Sequence, residues 1–336
     1  MKQCAPYRAP RWLPGGNVQT LYAALFADAG AVPHYRRTRW ESPDGDFVDI
    51  DWLDAGADRL DSRAPLAVLF HGLEGDSASH YARALAHAFC AAGWRVAVAH
   101  FRGCSGEPNR LARAYHSGDS AEIAWMLARF AAQARELPVA IGVSLGGNAL
   151  LKFLGEAGSS ARLVLAAAVS VSAPLDLMVA GDALGRGFAR IYSAMFLRTL
   201  KKKGEEKALR HPGAFDRAAM RRARSLRAFD NVVTAPLHGF RDTDDYWRRA
   251  SAKPLLRTIA VPTLLMNARN DPFLPAAALP GEAEVSPSVE REFPRHGGHV
   301  GFVSGSFPGG FEWFTQRIIE FVSGHARGEA PPAAPP

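Results

Sequence analysis

Apolar and polar positions switch between two periods along this chain, and the switches mark its elements. Short apolar runs bounded by turn residues read as buried strands: Leu66–Phe70, Trp94–His100, Val139–Val143, Leu163–Val171, Pro262–Asn267 and Val289–Phe293. Between them, apolar residues recur at helical spacing. One helix is expected over about 79–92, closed by Gly93, and another from Asp119 and Glu122 to about Arg135. A third follows Ser144, carried by Leu145, Ala149, Leu150 and Phe153, and a last one covers about 310–322. Near the start, Arg39–Ser42 and Phe47–Leu53 flank Pro43-Asp44-Gly45-Asp46, a hairpin signal with Asp-Gly at the turn.

Strands that alternate with helices argue for an α/β architecture: a mostly parallel sheet, helices on both faces, and the hairpin as an antiparallel edge. Residues 175–255 break the alternation. They hold no strand pattern, are rich in Ala, Arg and Met, and are interrupted by Gly204, Pro212 and Pro236. Such a stretch is too long for an ordinary connection and reads as a helical lid over the carboxyl ends of the strands, where ligands bind in these sheets. Residues 1–35, Pro-rich with Trp12, Tyr22, Phe26 and Tyr35, read as an N-terminal arm laid across a main domain of residues 36–326. Residues 327–336, rich in Pro and Ala, read as a disordered tail.

Composition narrows the function. The 336 residues are 48% hydrophobic and 22% charged, ordinary for a globular protein. The net charge of +7 raises nucleic acid or an anionic membrane as partners. The basic residues are scattered, apart from Lys201-Lys202-Lys203 and Arg221, Arg222, Arg224 and Arg227, and no nucleic-acid motif accompanies them. They read as a solvated helical face. Nucleic acid is therefore not expected, and contact with a membrane surface is the lesser reading. The three cysteines, Cys4, Cys90 and Cys104, form neither a zinc pattern nor a disulfide framework, which fits a reducing compartment. The first 30 residues carry no signal-peptide apolar core, and no run has the length of a membrane span. The expectation is a cytoplasmic protein of open oligomeric state. Gly103-Cys104-Ser105-Gly106 is no phosphate loop, and neither metal nor cofactor is expected.

The chemistry gathers at Pro138–Phe153, where Gly142-Val143-Ser144-Leu145-Gly146 forms G-x-S-x-G between a strand and a helix. That is the pattern of a nucleophile elbow, in which a tight turn projects the serine hydroxyl above the sheet. The glycines remove side chains that would clash there. A serine needs a base, and the base an orienting group. Asp271 and His299 follow the last two strands, completing the order serine, acid, histidine. Asp176 competes as the acid, but it also reads as a helix cap. His296 competes as the base, but two glycines before His299 allow a closer approach. For the oxyanion, the backbone N–H groups of Leu145 and of Leu73, in His71-Gly72-Leu73-Glu74-Gly75, are the candidate donors. His71 and Asp76 also fit an H-x-x-x-x-D spacing known from some acyltransferases. His116 and Asp119 have no assigned role, and Cys104 lacks a base set of its own.

Motifs across the chain resemble the YheT-like α/β-hydrolases. They are Arg11-Trp12-Leu13 with Val18-Gln19-Thr20, Ser42–Asp46, His71–Gly75, His100–Glu107, Tyr115–Gly118, Gly142–Asn148, Asn270–Phe273 and Gly297–Phe302. The resemblance runs from about Arg11 to Val322. It implies an α/β-hydrolase fold, a Ser144-Asp271-His299 triad, and esterase, lipase-like or acyltransferase chemistry on a small-molecule acyl ester. Relatives make or cleave medium-chain ethyl esters or cleave phospholipids, and the animal ones are often membrane-anchored. The leading expectation is a serine ester hydrolase acting on short- to medium-chain acyl esters. Acyl transfer to an alcohol and a non-catalytic binding role are the alternatives. On the helical segment, Leu177, Met178, Phe188, Ile191, Met195, Phe196 and Leu197 are candidates to line an acyl pocket or to pack the core.

Overall fold

The computed structural model describes residues 5–54 and 64–326. Cys4 and the tail at 327–336 lie outside them. One sheet of eight strands runs in the order β1-β2-β4-β3-β5-β6-β7-β8. The strands are β1 (Arg36–Glu41), β2 (Phe47–Leu53), β3 (Leu66–Phe70), β4 (Arg95–Ala99), β5 (Val139–Val143), β6 (Ala167–Val171), β7 (Thr263–Met266) and β8 (Val289–Glu292). β1 and β2 form the expected hairpin, and β2 meets β4 antiparallel. All other neighbours are parallel, so β3 to β8 end their chains at one common edge.

Each central strand is buried on both faces, which is why it reads as a continuous apolar run. In β3, Leu66, Val68 and Phe70 point into one layer, and Ala67 and Leu69 into the other. The first layer is closed by α3 (Ser120–Gln133) and α4 (Leu145–Ala157) through Ile123, Met126, Phe130, Leu150 and Leu154. The second is closed by α2 (His80–Ala91) and α11 (Glu312–His325) through Leu85, Phe89, Phe314 and Ile318.

Two expectations change. The strand expected from Leu163 begins at Ala167. α4 ends at Gly158, whose φ of 54° reverses the chain into a 3₁₀ turn, Gly158–Leu163, so Leu163 faces solvent rather than the sheet. The N-terminal arm also contributes to the core. It contains α1 (Gly16–Leu25), and Tyr7, Leu13 and Ala23 are buried in the second layer.

Residues 175–255 are helical, as expected, and contain no strand. Asp176 accepts from the N–H groups of Met178 and Val179 and caps α5 (Leu177–Leu184). Then come α6 (Arg190–Arg210), α7 (Arg217–Arg222), α8 (Leu226–Phe229), a π turn at Asp230–Thr234, α9 (Ala235–Leu237) and α10 (Thr243–Ala250). The layer has its own small core, with Leu197, Met220, Phe229 and Val233 buried together.

A buried ionic knot ties the hairpin to the helices. Arg102 donates from Nε to Glu122 on α3 at 2.6 Å and from its fork to Asp46 and Asp44 in the hairpin turn, both at 3.2 Å. Burial pushes the Glu122 carboxyl up, to about 7, against the pull of Arg102. Removing the cation from such a knot leaves carboxylates unpaired in the interior. Arg102→Met is therefore expected to lower folding stability by about 3–5 kcal/mol. The urea midpoint measures it, and an unchanged midpoint contradicts the arrangement.

Candidate active site

The site is built where β5 turns into α4. Ser144 has φ 53° and ψ −118°, a region that a side chain rarely adopts. The crowding there explains the glycines. A Cβ on Gly142 would stand 2.5 Å from the Gly146 carbonyl, and one on Gly146 would stand 2.5 Å from the Phe70 carbonyl. Both obstacles are backbone and cannot swing away, so the strand and helix approach this closely only without side chains.

Ser144, His299 and Asp271 form one hydrogen-bonded chain. Ser144 Oγ lies 2.9 Å from His299 Nε2, and His299 Nδ1 lies 2.9 Å from Asp271 Oδ2. An ionised carboxylate only accepts, so Nδ1 carries the proton and Nε2 is left to accept from the serine. The other Asp271 oxygen accepts from the Phe273 N–H at 2.7 Å. The carboxylate is fully enclosed, so both its oxygens have fixed partners. Phe273 then stacks on the His299 ring with centroids 4.0 Å apart.

Both loops are held from a place that sequence reasoning left without a role. Gln19 on α1 accepts through Oε1 from Asn270 Nδ2 and from the Gly297 N–H, each at 2.9 Å. Thr20 Oγ1 accepts from the His299 N–H at 2.8 Å and donates to the Gly16 carbonyl. The signal available was Val18-Gln19-Thr20 among the resemblance motifs. The Ser172 hydroxyl accepts from the Val300 N–H, and His80 on α2 bonds the Val300 carbonyl. Burial pulls the His80 pKa down to about 4, so its ring stays neutral.

The candidate oxyanion donors belong to residues that line the same cavity as the serine. Leu145 opens α4, so its N–H has no partner within the helix. In the loop after β3, the Gly72 N–H donates to Tyr81 Oη, the Glu74 N–H to Tyr115 Oη, and the Gly75 N–H to the Gly72 carbonyl. The neighbouring N–H groups are thus committed, while that of Leu73 makes no such bond.

The rival residues do other work. His71 is fully buried, with Nδ1 on the Gly72 carbonyl and Nε2 accepting from the Phe101 N–H. Burial drops its pKa to about 3, and Asp76 bonds the turn at Ala78 and Ser79 instead of pairing with it. His71 is therefore a loop brace, not a base. Asp176 is committed as a cap, and His296 is exposed beside Asn270. His116 packs against His238, Phe240 and Tyr246, and burial pulls its pKa to about 3. Asp119 pairs with Arg113. Burial pushes the Cys104 thiol up to about 11, the reverse of an activated cysteine.

A cavity of about 510 Å³ opens over Ser144 and His299, roofed by the helical layer. Its apolar wall includes Leu145, Leu177, Leu184, Phe196, Leu200, Phe229 and Phe273. Of the helical residues expected there, Leu177 and Phe196 line it. Phe188, Ile191 and Met195 do not line it and are about half exposed. Leu197 turns into the helical layer's own core, and Met178 packs beside Leu177, Tyr246 and Trp247. Among the described residues, no group of three or more His, Cys, Asp or Glu side chains could hold a metal ion, and no helix is long and apolar enough to cross a membrane.

Comparison with known proteins agrees with this architecture. Residues 65–306 match the family described as alpha/beta hydrolase fold. YheT of Escherichia coli (strain K12), named as a candidate esterase, is 39% identical over 311 residues, covering 91% of this chain and 90% of its own. Phospholipase ABHD3 of Mus musculus is 31% identical, over 93% of this chain and 76% of its own. Among solved structures, the esterase Pf2001 of Pyrococcus furiosus superposes with a TM-score of 0.54 at 16% identity, over 96% of this chain and 98% of its own, a likeness of fold.

The α1 contacts give a direct test. Thr20→Val keeps the shape and removes the acceptor of the His299 N–H. A buried donor left without a partner costs about 1–3 kcal/mol. Chemical denaturation is expected to show a loss of that size, and no loss would mean that α1 does not brace the histidine loop.

Proposed function

This chain belongs to the alpha/beta hydrolase fold family, in its YheT-like branch, and on that premise we propose that it is a serine-dependent carboxylic ester hydrolase working through an acyl-Ser144 intermediate. The observation that carries the reading is the unbroken chain Ser144 Oγ–His299–Asp271 facing a largely apolar cavity.

The steps follow from the groups present. An acyl ester lies in the cavity with its carbonyl carbon above Ser144 Oγ. His299 Nε2 takes the hydroxyl proton as Oγ attacks, and Asp271 steadies the imidazolium through Nδ1–H. The carbonyl oxygen becomes an oxyanion between the Leu73 and Leu145 N–H groups, which need no reorganisation to receive it. The positive end of α4 favours the same charge. The tetrahedral species collapses, His299 protonates the departing alkoxide, and the alcohol leaves. Water then enters, gives a proton to His299 and attacks the acyl carbon. Collapse returns the proton to Ser144 and frees the acid.

The cavity supports a substrate with a short to medium acyl chain. Its volume is in the range that encloses most of a small ligand, and its walls are apolar beside the serine. The helical layer acts here as a lid that keeps bulk water from the acyl-enzyme.

A series of p-nitrophenyl esters from acetate to palmitate tests this, with Ser144→Ala as control. Activity is expected to peak at one chain length and to fall in the variant by about 10⁴-fold or more, as when a member of such a triad is removed. Full activity in Ser144→Ala, or none in the parent with any ester, would overturn the proposal.

A further inference from the structure

Lys203 departs from the solvated run that its sequence neighbours suggest. Lys202 is exposed and Lys201 caps the Arg221 carbonyl, whereas Lys203 turns inward from α6 toward the loop after β3. Its Nζ lies 3.0 Å from both carboxylate oxygens of Glu74 and 3.4 Å from Cys104 Sγ. The Glu74 side chain is only 6% exposed, so its charge depends on these partners. Tyr115 closes the arrangement. Its Oη donates to Glu74 Oε1 and accepts from the Glu74 N–H, both at 2.8 Å. Burial holds the Tyr115 hydroxyl well above its ordinary pKa, so it keeps the proton it donates.

Glu74 is the residue on which the loop turns. Its φ of 57° is left-handed, and only four non-glycine residues among those described share that sign: Glu74, Ser144, Ser172 and Val300. The turn lets the Gly75 N–H reach the Gly72 carbonyl at 3.0 Å, and His71 Nδ1 bonds the same carbonyl at 2.8 Å. A trans peptide points its N–H opposite to its C=O. With the Gly72 carbonyl tied on the inner side, the N–H of Leu73 is therefore aimed the other way. The direction of that donor rests on the Glu74 backbone, which is clamped through its side chain.

We propose that Lys203 is a positioning residue: through Glu74 it holds the Leu73 N–H in the direction an oxyanion needs, so the donor is in place only while α6 is seated. The inference rests on the ester-hydrolase reading and adds a coupling between the helical layer and the oxyanion loop. Without Lys203, the Glu74 carboxylate keeps one hydroxyl partner in a desolvated site and is drawn toward water, taking the strained turn with it. The effect belongs to the transition state, since an acyl ester in its ground state gains little from the oxyanion donor.

The test is steady-state hydrolysis of the best p-nitrophenyl ester by Lys203→Met, Lys203→Arg, Glu74→Gln, Lys203→Met/Glu74→Gln and the control Lys201→Met, each checked for folding by its unfolding midpoint. Lys203→Met is expected to lower kcat by about 10- to 100-fold, short of the loss when an oxyanion donor is removed outright, with KM changed less than about threefold. Lys203→Arg is expected to restore most of kcat. The double variant should be no worse than the poorer single one, because both break the same link. Lys201→Met should match the parent. A second arm reads the loop without catalysis: the Glu74 and Gly75 amides should exchange hydrogen faster in Lys203→Met. A Lys203→Met protein with parental kcat and parental exchange overturns the inference while leaving the hydrolase reading intact. If the parent hydrolyses no ester, the hydrolase reading fails, and unchanged exchange then removes the coupling as well. Should Lys203→Met not fold, Lys203→Gln and Glu74→Gln carry the same comparison, and additive losses in their double variant would overturn it.

Discussion

Ser144 occupies a backbone conformation that costs of the order of 1–3 kcal/mol for a residue with a side chain, and the rest of the site follows from holding it there. The Ser144 N–H reaches the Val171 carbonyl at the end of β6, and its carbonyl accepts from Asn148 in the first turn of α4. Strand and helix can meet at that angle only because Gly142 and Gly146 present bare backbone to one another and to β3. The serine hydroxyl is thereby lifted over the carboxyl edge of the sheet. The same constraint brings the Leu145 N–H, unpaired at the start of α4, next to it.

The surrounding structure repeats this device. The left-handed non-glycine residues Glu74, Ser144, Ser172 and Val300 all lie in the loops that leave this edge. Local strain gathered at one edge must be offset by bonds elsewhere, and the offsetting groups can be named. Tyr115 and Lys203 hold Glu74, the Ser172 hydroxyl holds the Val300 N–H, and Gln19 and Thr20 hold the loops bearing Asp271 and His299. Three of these side chains come from segments other than the four helices that cover the sheet, Gln19 and Thr20 from α1 and Lys203 from α6. Seating both segments is part of the geometry of the edge.

The sheet and the candidate triad are legible in the sequence because strong local rules govern them. Continuous apolar runs mark strands buried on both faces, and Asp-Gly marks the hairpin. The order Ser144, Asp271, His299 at three strand ends picks out residues that the fold brings within hydrogen-bond distance. What escapes lacks a local signature. Gln19 and Thr20 are polar residues on a short helix in a Pro- and Gly-rich stretch, and their partners lie more than two hundred residues away. Lys203 sits among like charges that face solvent, and only the rotation of α6 turns it inward. Leu163 continues an apolar run, yet the reversal at Gly158 puts it outside the sheet. Ile191 and Met195 share the apolar character of Phe196 but face solvent from the same helix.

The proposed chemistry makes Ser144 a nucleophile activated by His299. It is tested most directly by incubating the folded protein with a fluorophosphonate and locating the adduct by peptide mass spectrometry. One phosphonyl group per chain is expected, on the peptide containing Ser144, and none in a His299→Gln variant over the same time. No adduct on the parent, an adduct on another residue, or equal labelling without His299 would contradict it.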